Sequence, residues 1–142
     1  MIVYSYYCLD ILHEGHLLMM RNAKKLAGEN GKLIVGILTD NAVMEKKVRP
    51  LMSFKERMQI AESLKYPDLI VPQDTYSPLP NVLAIRPDVL MESMSHDAND
   101  LAHIKNIANN AGIKVIVLPY YGEQSSTELK NKIIKSKRKG KI

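Results

Sequence analysis

Apolar positions in this chain follow two periods in turn, one of strands and one of helices. Ile2 to Tyr7 is rich in β-branched and aromatic residues and predicts a first strand. Leu17, Met20, Ala23 and Ala27 then recur at helical spacing, and Gly28 supplies a stop. Lys32 to Leu38 is a near-continuous apolar run, the pattern of a strand covered on both faces. Asp40 to Lys47 predicts a short helix, which must end before Pro50 because proline disfavours a helical residue in front of it. Ser53 and Glu56 form a capping box, and Phe54, Met58, Ala61 and Leu64 continue one face of the helix it opens. Asp68 to Val71 predicts a third strand. Ser77 to Ile85 carries Pro78 and Pro80 and predicts a loop followed by a short helix. Asp88 to Met91 predicts a fourth strand. Leu101, Ile104, Ala108 and Ala111 mark a helix closed by Gly112, and Ile113 to Leu118 predicts a fifth strand. Ser125 and Glu128 form a second capping box, for a last helix through about Ile134.

Strands that alternate with helices imply an α/β fold: a five-stranded parallel sheet with helices on both faces. Ligands of such sheets bind outside the carboxyl ends of the strands, where the strand order reverses. The turn from His13 to His16 follows the first strand, and the segment before Ser125 follows the fifth, so both are expected at that edge.

Charge and composition change this picture little. The 142 residues are those of one domain, with 46% hydrophobic and 25% charged side chains. The net charge of +5 suggests a basic protein, but its distribution does not. Lys132, Lys135, Lys137, Arg138, Lys139 and Lys141 hold six of the twenty basic residues, with no acid among them; the remainder has 14 basic and 15 acidic residues. The expected organisation is a domain over 1–134 and a solvated basic tail over 135–142, with neither nucleic acid nor membrane as partner. Cys8 is the single cysteine, no apolar run has the length of a membrane span, and no leader pattern opens the chain, so a cytoplasmic protein is expected.

The chemistry concentrates at His13-Glu14-Gly15-His16. Gly15 has no Cβ, so a ligand can approach the backbone there. A helix start offers unpaired N–H groups and partial positive charge, which suit a phosphate. Two imidazoles add donors beside them. A zinc pair competes with this reading, but metalloprotease helices place their histidines four apart and here the gap is three.

His13-Glu14-Gly15-His16 matches the HxGH motif of the nucleotidylyltransferase superfamily. Cys8 to His13 resembles the stretch before that motif in small cytidylyltransferases. Lys46 to Arg57 resembles their lysine-rich loop and capped helix, Lys65-Tyr66-Pro67-Asp68 their Arg-Tyr-Val-Asp, and Gln124 to Thr127 their Ile-Ser-Thr-Thr helix start. The likeness covers about residues 2 to 134 and keeps motif order. It implies a Rossmann-like nucleotidylyltransferase fold and a cytidylyltransferase. CTP and a small phosphorylated alcohol or phosphonate would give a CDP-linked product and pyrophosphate, with Mg²⁺ as cofactor and a homodimer as the assembly. An adenylyltransferase, or a nucleotide-binding module without turnover, is the alternative.

The resemblance implies catalytic roles for His13, His16 and Lys46. It implies nucleotide or phosphate contacts for Cys8, Leu9, Asp10, Gly15, Lys47, Arg57, Ser125, Ser126 and Thr127. Asp10 would orient a basic side chain or help place Mg²⁺, and Asp68 would be structural. Three departures bear on specificity. Tyr7 stands where the family commonly has glycine and is expected to intrude on the pocket. Tyr120-Tyr121 replaces Arg-Thr, and Glu92 to Asp97 replaces a Gly-Asp-Asp type run.

Overall fold

The computed structural model describes residues 1–94, 97–119, 126–138 and 140, with the backbone alone over 126–128. Five strands, β1 (Ile2–Tyr7), β2 (Lys32–Leu38), β3 (Leu69–Gln73), β4 (Val89–Ser93) and β5 (Lys114–Leu118), form one sheet in the order β3-β2-β1-β4-β5. Every pairing is parallel. Among the described residues six helices connect and follow them: α1 (Glu14–Ala27), α2 (Asp40–Met44), α3 (Phe54–Glu62), α4 (Leu79–Ile85), α5 (Ala98–Asn110) and α6 (Ser126–Arg138). The predicted α/β class and strand count are those observed. α1 begins three residues before the apolar stripe at Leu17, and α6 runs past the expected end at Ile134 to Arg138.

Alternation along β1 sends its side chains to both faces. Val3 and Tyr7 join Met19, Met20, Ala23 and Leu33 on the face covered by α1 and α3. Tyr4 and Tyr6 join Leu79, Val82, Leu90 and Ile104 on the face covered by α4 and α5. Gly36 in β2 makes room for Tyr4: a Cβ there would lie 2.1 Å from the Tyr4 hydroxyl, which donates to Gln73 Oε1 at 2.6 Å. That bond ties the central strand to the edge strand β3.

The chain returns from β3 to β4 on the far side of β1, so the order reverses between β1 and β4. The carboxyl ends of those two strands flank the crevice expected to hold a ligand. At the opposite edge Asp68 accepts from Lys24 Nζ (2.6 Å) and Leu33 N–H (2.8 Å), which is the structural role expected of it.

Candidate active site

Immediately beyond β1 the chain takes an uncommon bend. Leu9 is fully buried and holds a left-handed backbone with φ 58°. That conformation is disfavoured for a branched side chain and is sustained only where the surroundings over-determine it. Here the Leu9 side chain is locked in the core, between the half-buried Cys8 and the buried Asp10. Leu9 therefore shapes the site from beneath and presents no surface to a ligand, contrary to the contact expected of it.

His13 follows as the N-cap of α1, in extended conformation. Its Nδ1 accepts the Gly15 N–H at 3.1 Å, and His16 Nδ1 accepts the His13 N–H at 3.2 Å. This is a capping box built from two imidazoles in place of the usual hydroxyl and carboxylate. A backbone N–H can only donate, so each Nδ1 is unprotonated and each neutral ring carries its proton on Nε2. The ring centroids lie 3.9 Å apart. Burial, and then the neighbouring His13, depress the His16 pKa from 6.5 to about 3. Two neutral imidazoles with Nε2–H donors thus share one helical turn. The Gly15 amide, expected to be open to phosphate, is instead committed to the His13 ring, and Gly15 itself is buried.

Tyr7 does not fill the crevice. Its ring packs with the core beneath α1 and meets the His16 ring edge-on, 5.9 Å away at 89°. The expected intrusion is thus corrected: the alternation of β1 turns Tyr7 under the histidine pair, which it supports.

Arg57 is reassigned most clearly. It is 0% exposed. Its guanidinium donates to the Cys8 carbonyl (2.8 Å), the Leu38 carbonyl (2.6 Å), the Met52 carbonyl (3.3 Å) and Asp40 Oδ1 (2.7 Å). One side chain thereby braces the ends of β1 and β2, the start of α2 and the segment before α3. The phosphate contact expected of Arg57 does not fit, because its planar fork is enclosed by these partners. Cys8 is half-buried and its carbonyl is taken by the same brace. Burial pushes its thiol up, against the opposing pull of Arg57.

Asp10 is 3% exposed and accepts the Leu51 N–H (3.0 Å), the Met52 N–H (2.9 Å) and Lys130 Nζ from α6. Burial alone would raise its carboxyl, but Lys130 and the two amides outweigh that and hold it below the ordinary carboxylate value. Of the two roles expected of Asp10, orienting a basic side chain is the one seen. Its Oδ2 takes the Leu51 amide and Lys130, and its Oδ1 takes the Met52 amide. Among the described residues no group of three or more His, Cys, Asp or Glu side chains converges as a metal site.

Lys46 lies on the loop after α2, exposed, with its Nζ 3.2 Å from Asp100 Oδ2 at the start of α5. Lys47 beside it is exposed. Ser125 lies outside the described residues; Ser126 and Thr127 open α6, and only their backbone is described. Tyr120, Tyr121 and His96 also lie outside. The structure therefore brings the histidine pair, Asp10, the end of the lysine loop and α6 together around the end of β1, with Arg57 behind them.

Sequence reasoning missed Asp40 and Lys130. Asp40 opens a helix capped by Thr39 directly after β2, a position that faces the same edge, so the strand prediction contained a signal for it. Lys130 had none, being one lysine among several on α6.

Comparison with known proteins follows the same lines. Residues 8–139 match the model of the family described as Cytidylyltransferase-like. The chain is 33% identical over 129 residues to an FAD synthase of Korarchaeum cryptofilum, covering 89% of this chain and 86% of that protein. It is 33% identical over 128 residues to the bifunctional protein HldE of Histophilus somni, where it spans only 26% of the relative's length. The fold is similar to that of the lipopolysaccharide core biosynthesis protein of Thermoplasma volcanium, with TM-score 0.72 at 22% identity, covering 87% of this chain and 98% of that one.

Proposed function

The chain belongs to the cytidylyltransferase-like family within the nucleotidylyltransferase superfamily, and from that premise we propose that it transfers CMP from CTP to a small phosphorylated alcohol or phosphonate. The observation that carries this reading is the pair of neutral imidazoles at the end of the central strand, each with its proton on Nε2. An acceptor oxygen, already anionic, attacks the α-phosphorus in line. The bond from that phosphorus to the bridging oxygen breaks, and pyrophosphate leaves with the electron pair. No proton has to be removed from the nucleophile, so the protein's work is placement and charge stabilisation.

His13 and His16 direct Nε2–H donors at phosphate oxygens that gain charge in the transition state. Their neutrality suits them to hydrogen bonding without proton transfer. Lys46, with Lys47 beside it, swings from Asp100 to the triphosphate; the half-exposed pair is weak enough to release it. The hydroxyls of Ser125, Ser126 and Thr127 and the backbone at Cys8 complete the nucleotide contacts in this proposal. Mg²⁺ enters as the counter-ion of the nucleotide in this proposal. A homodimer and a cytoplasmic setting belong to the same proposal. No helix among the described residues is long and apolar enough to cross a membrane.

A second reading keeps the reaction and changes the donor. The match to an FAD synthase over 86% of that protein favours ATP, with a flavin phosphate as acceptor. Pyrophosphate release, measured with CTP and with ATP against phosphorylated alcohols, phosphonates and flavin mononucleotide, tests both. Turnover of CTP with a small acceptor supports the first reading, and turnover of ATP with the flavin the second. Silence in every combination, with nucleotide still bound, leaves a binding module.

A further inference from the structure

Lys130 lies one turn into α6, and its ammonium pairs with a carboxylate that is 3% exposed, while its own side chain is 25% exposed. Nothing in the local sequence singles it out. We propose that Lys130 is a further ligand of the nucleotide's polyphosphate, positioned for it by Asp10. This rests on the nucleotide-binding reading above.

Three observations carry it. First, an ammonium has three N–H donors. One meets Asp10, and among the described residues no other acceptor meets Lys130, so within them two donors are left on a group that reaches solvent. Second, Asp10 stands three residues before His13, a separation of at most about 10 Å along the chain. The ion pair therefore belongs to the same short stretch after β1 that carries the imidazole pair. A bare carboxylate at that place would repel a polyphosphate, whereas the pair cancels the repulsion and keeps the cation outermost. Third, the same carboxylate holds the Leu51 and Met52 amides at the end of the lysine loop. One buried anion thus gathers the histidine bend, the lysine loop and α6, and it fixes a side chain that is otherwise rich in rotamers. Lys130 is the ligand in this account and Asp10 the positioning residue.

Calorimetric titration of the full chain with inorganic tripolyphosphate tests this without reference to base, acceptor or turnover. Lys130→Met is expected to weaken binding at least tenfold, and Lys130→Arg to stay within threefold of wild type. Asp10→Asn is expected to weaken binding when Lys130 is present and to add no loss to Lys130→Met. Amide exchange over α6, read alongside, separates contact from folding. Tripolyphosphate bound by Lys130→Met within twofold of wild type overturns the proposal. So does a Lys130→Arg variant that keeps α6 protected yet binds no better than Lys130→Met. A wild-type chain that ignores tripolyphosphate overturns both this inference and the nucleotide reading. If the expected binding pattern appears but no nucleotide and acceptor release pyrophosphate, the reaction falls and Lys130 stands as a polyphosphate ligand.

Discussion

His13 and His16 cap each other's turn: each Nδ1 takes a backbone N–H of the segment that carries the other ring, at 3.1 Å and 3.2 Å. The motif is therefore a structural device as well as a chemical one. Removal of either ring has two effects, which suitable substitutions separate. His13→Ala should lower kcat/KM by about 10²–10³-fold, as loss of one transition-state donor does. It should also lower stability by about 1 kcal/mol through the lost cap. His13→Asn restores a good cap without an imidazole donor, so its melting temperature should recover while its rate of pyrophosphate release does not.

Stability should depend on pH through His16. Its folded pKa of about 3 lies below its ordinary value of 6.5, so the unfolded chain binds a proton more readily between those limits. This contribution is complete above pH 6.5 and is lost as pH falls toward 3, with a slope of at most about 1.4 kcal/mol per pH unit. Denaturant midpoints between pH 4.5 and 7.5 should fall on acidification in the wild type. His16→Gln should flatten the curve in that window. An equally steep curve in the variant would place the titrating group elsewhere.

Arg57 offers the sharpest separation between bracing and binding. Arg57→Ala leaves the Cys8 and Leu38 carbonyls and the Asp40 carboxylate without their donor. Destabilisation of about 2–4 kcal/mol should follow, visible as a lowered denaturant midpoint. Were Arg57 a phosphate ligand instead, the midpoint would hold and only nucleotide affinity would drop.

Lys46 and Asp100 should behave in the opposite way. Both are about half exposed, and pairs of that kind contribute about 0–1 kcal/mol. Asp100→Asn should leave the melting temperature nearly unchanged. Lys46→Ala should do the same, yet reduce kcat/KM by roughly 10²-fold if the lysine meets charge that develops in the transition state. A Lys46→Ala enzyme of unaltered rate would remove this lysine from the mechanism and leave Lys47 to be tested in its place.

Much of this molecule was legible along the chain. β-branched runs marked β1 and β2 to the residue, because a strand in a parallel sheet is buried on both faces and tolerates few polar side chains. Ser53 and Glu56 announced the start of α3, and the observed capping box is the one those residues form. The turn at His13 to His16 was placed at the correct edge of the sheet, because strand polarity in an alternating βα pattern fixes where each following loop emerges. Local signals of this kind depend on neighbours a few residues apart, and a sequence displays those directly.

Only the tertiary structure decided which polar groups face a ligand and which hold the scaffold. Arg57 and Lys46 are both basic residues of one predicted motif. One is sealed against carbonyls from two strands and the other stands in solvent, and the difference lies in what the sheet brings beside each. Asp10 and Lys130 stand 120 residues apart and met only when α6 folded back over the end of β1. The sequence alone determined the order of strands and helices and the site of the bend, since those follow from side-chain periodicity. Partnership between distant charges followed from the packing of the elements, because a hydrogen bond or an ion pair requires proximity in space.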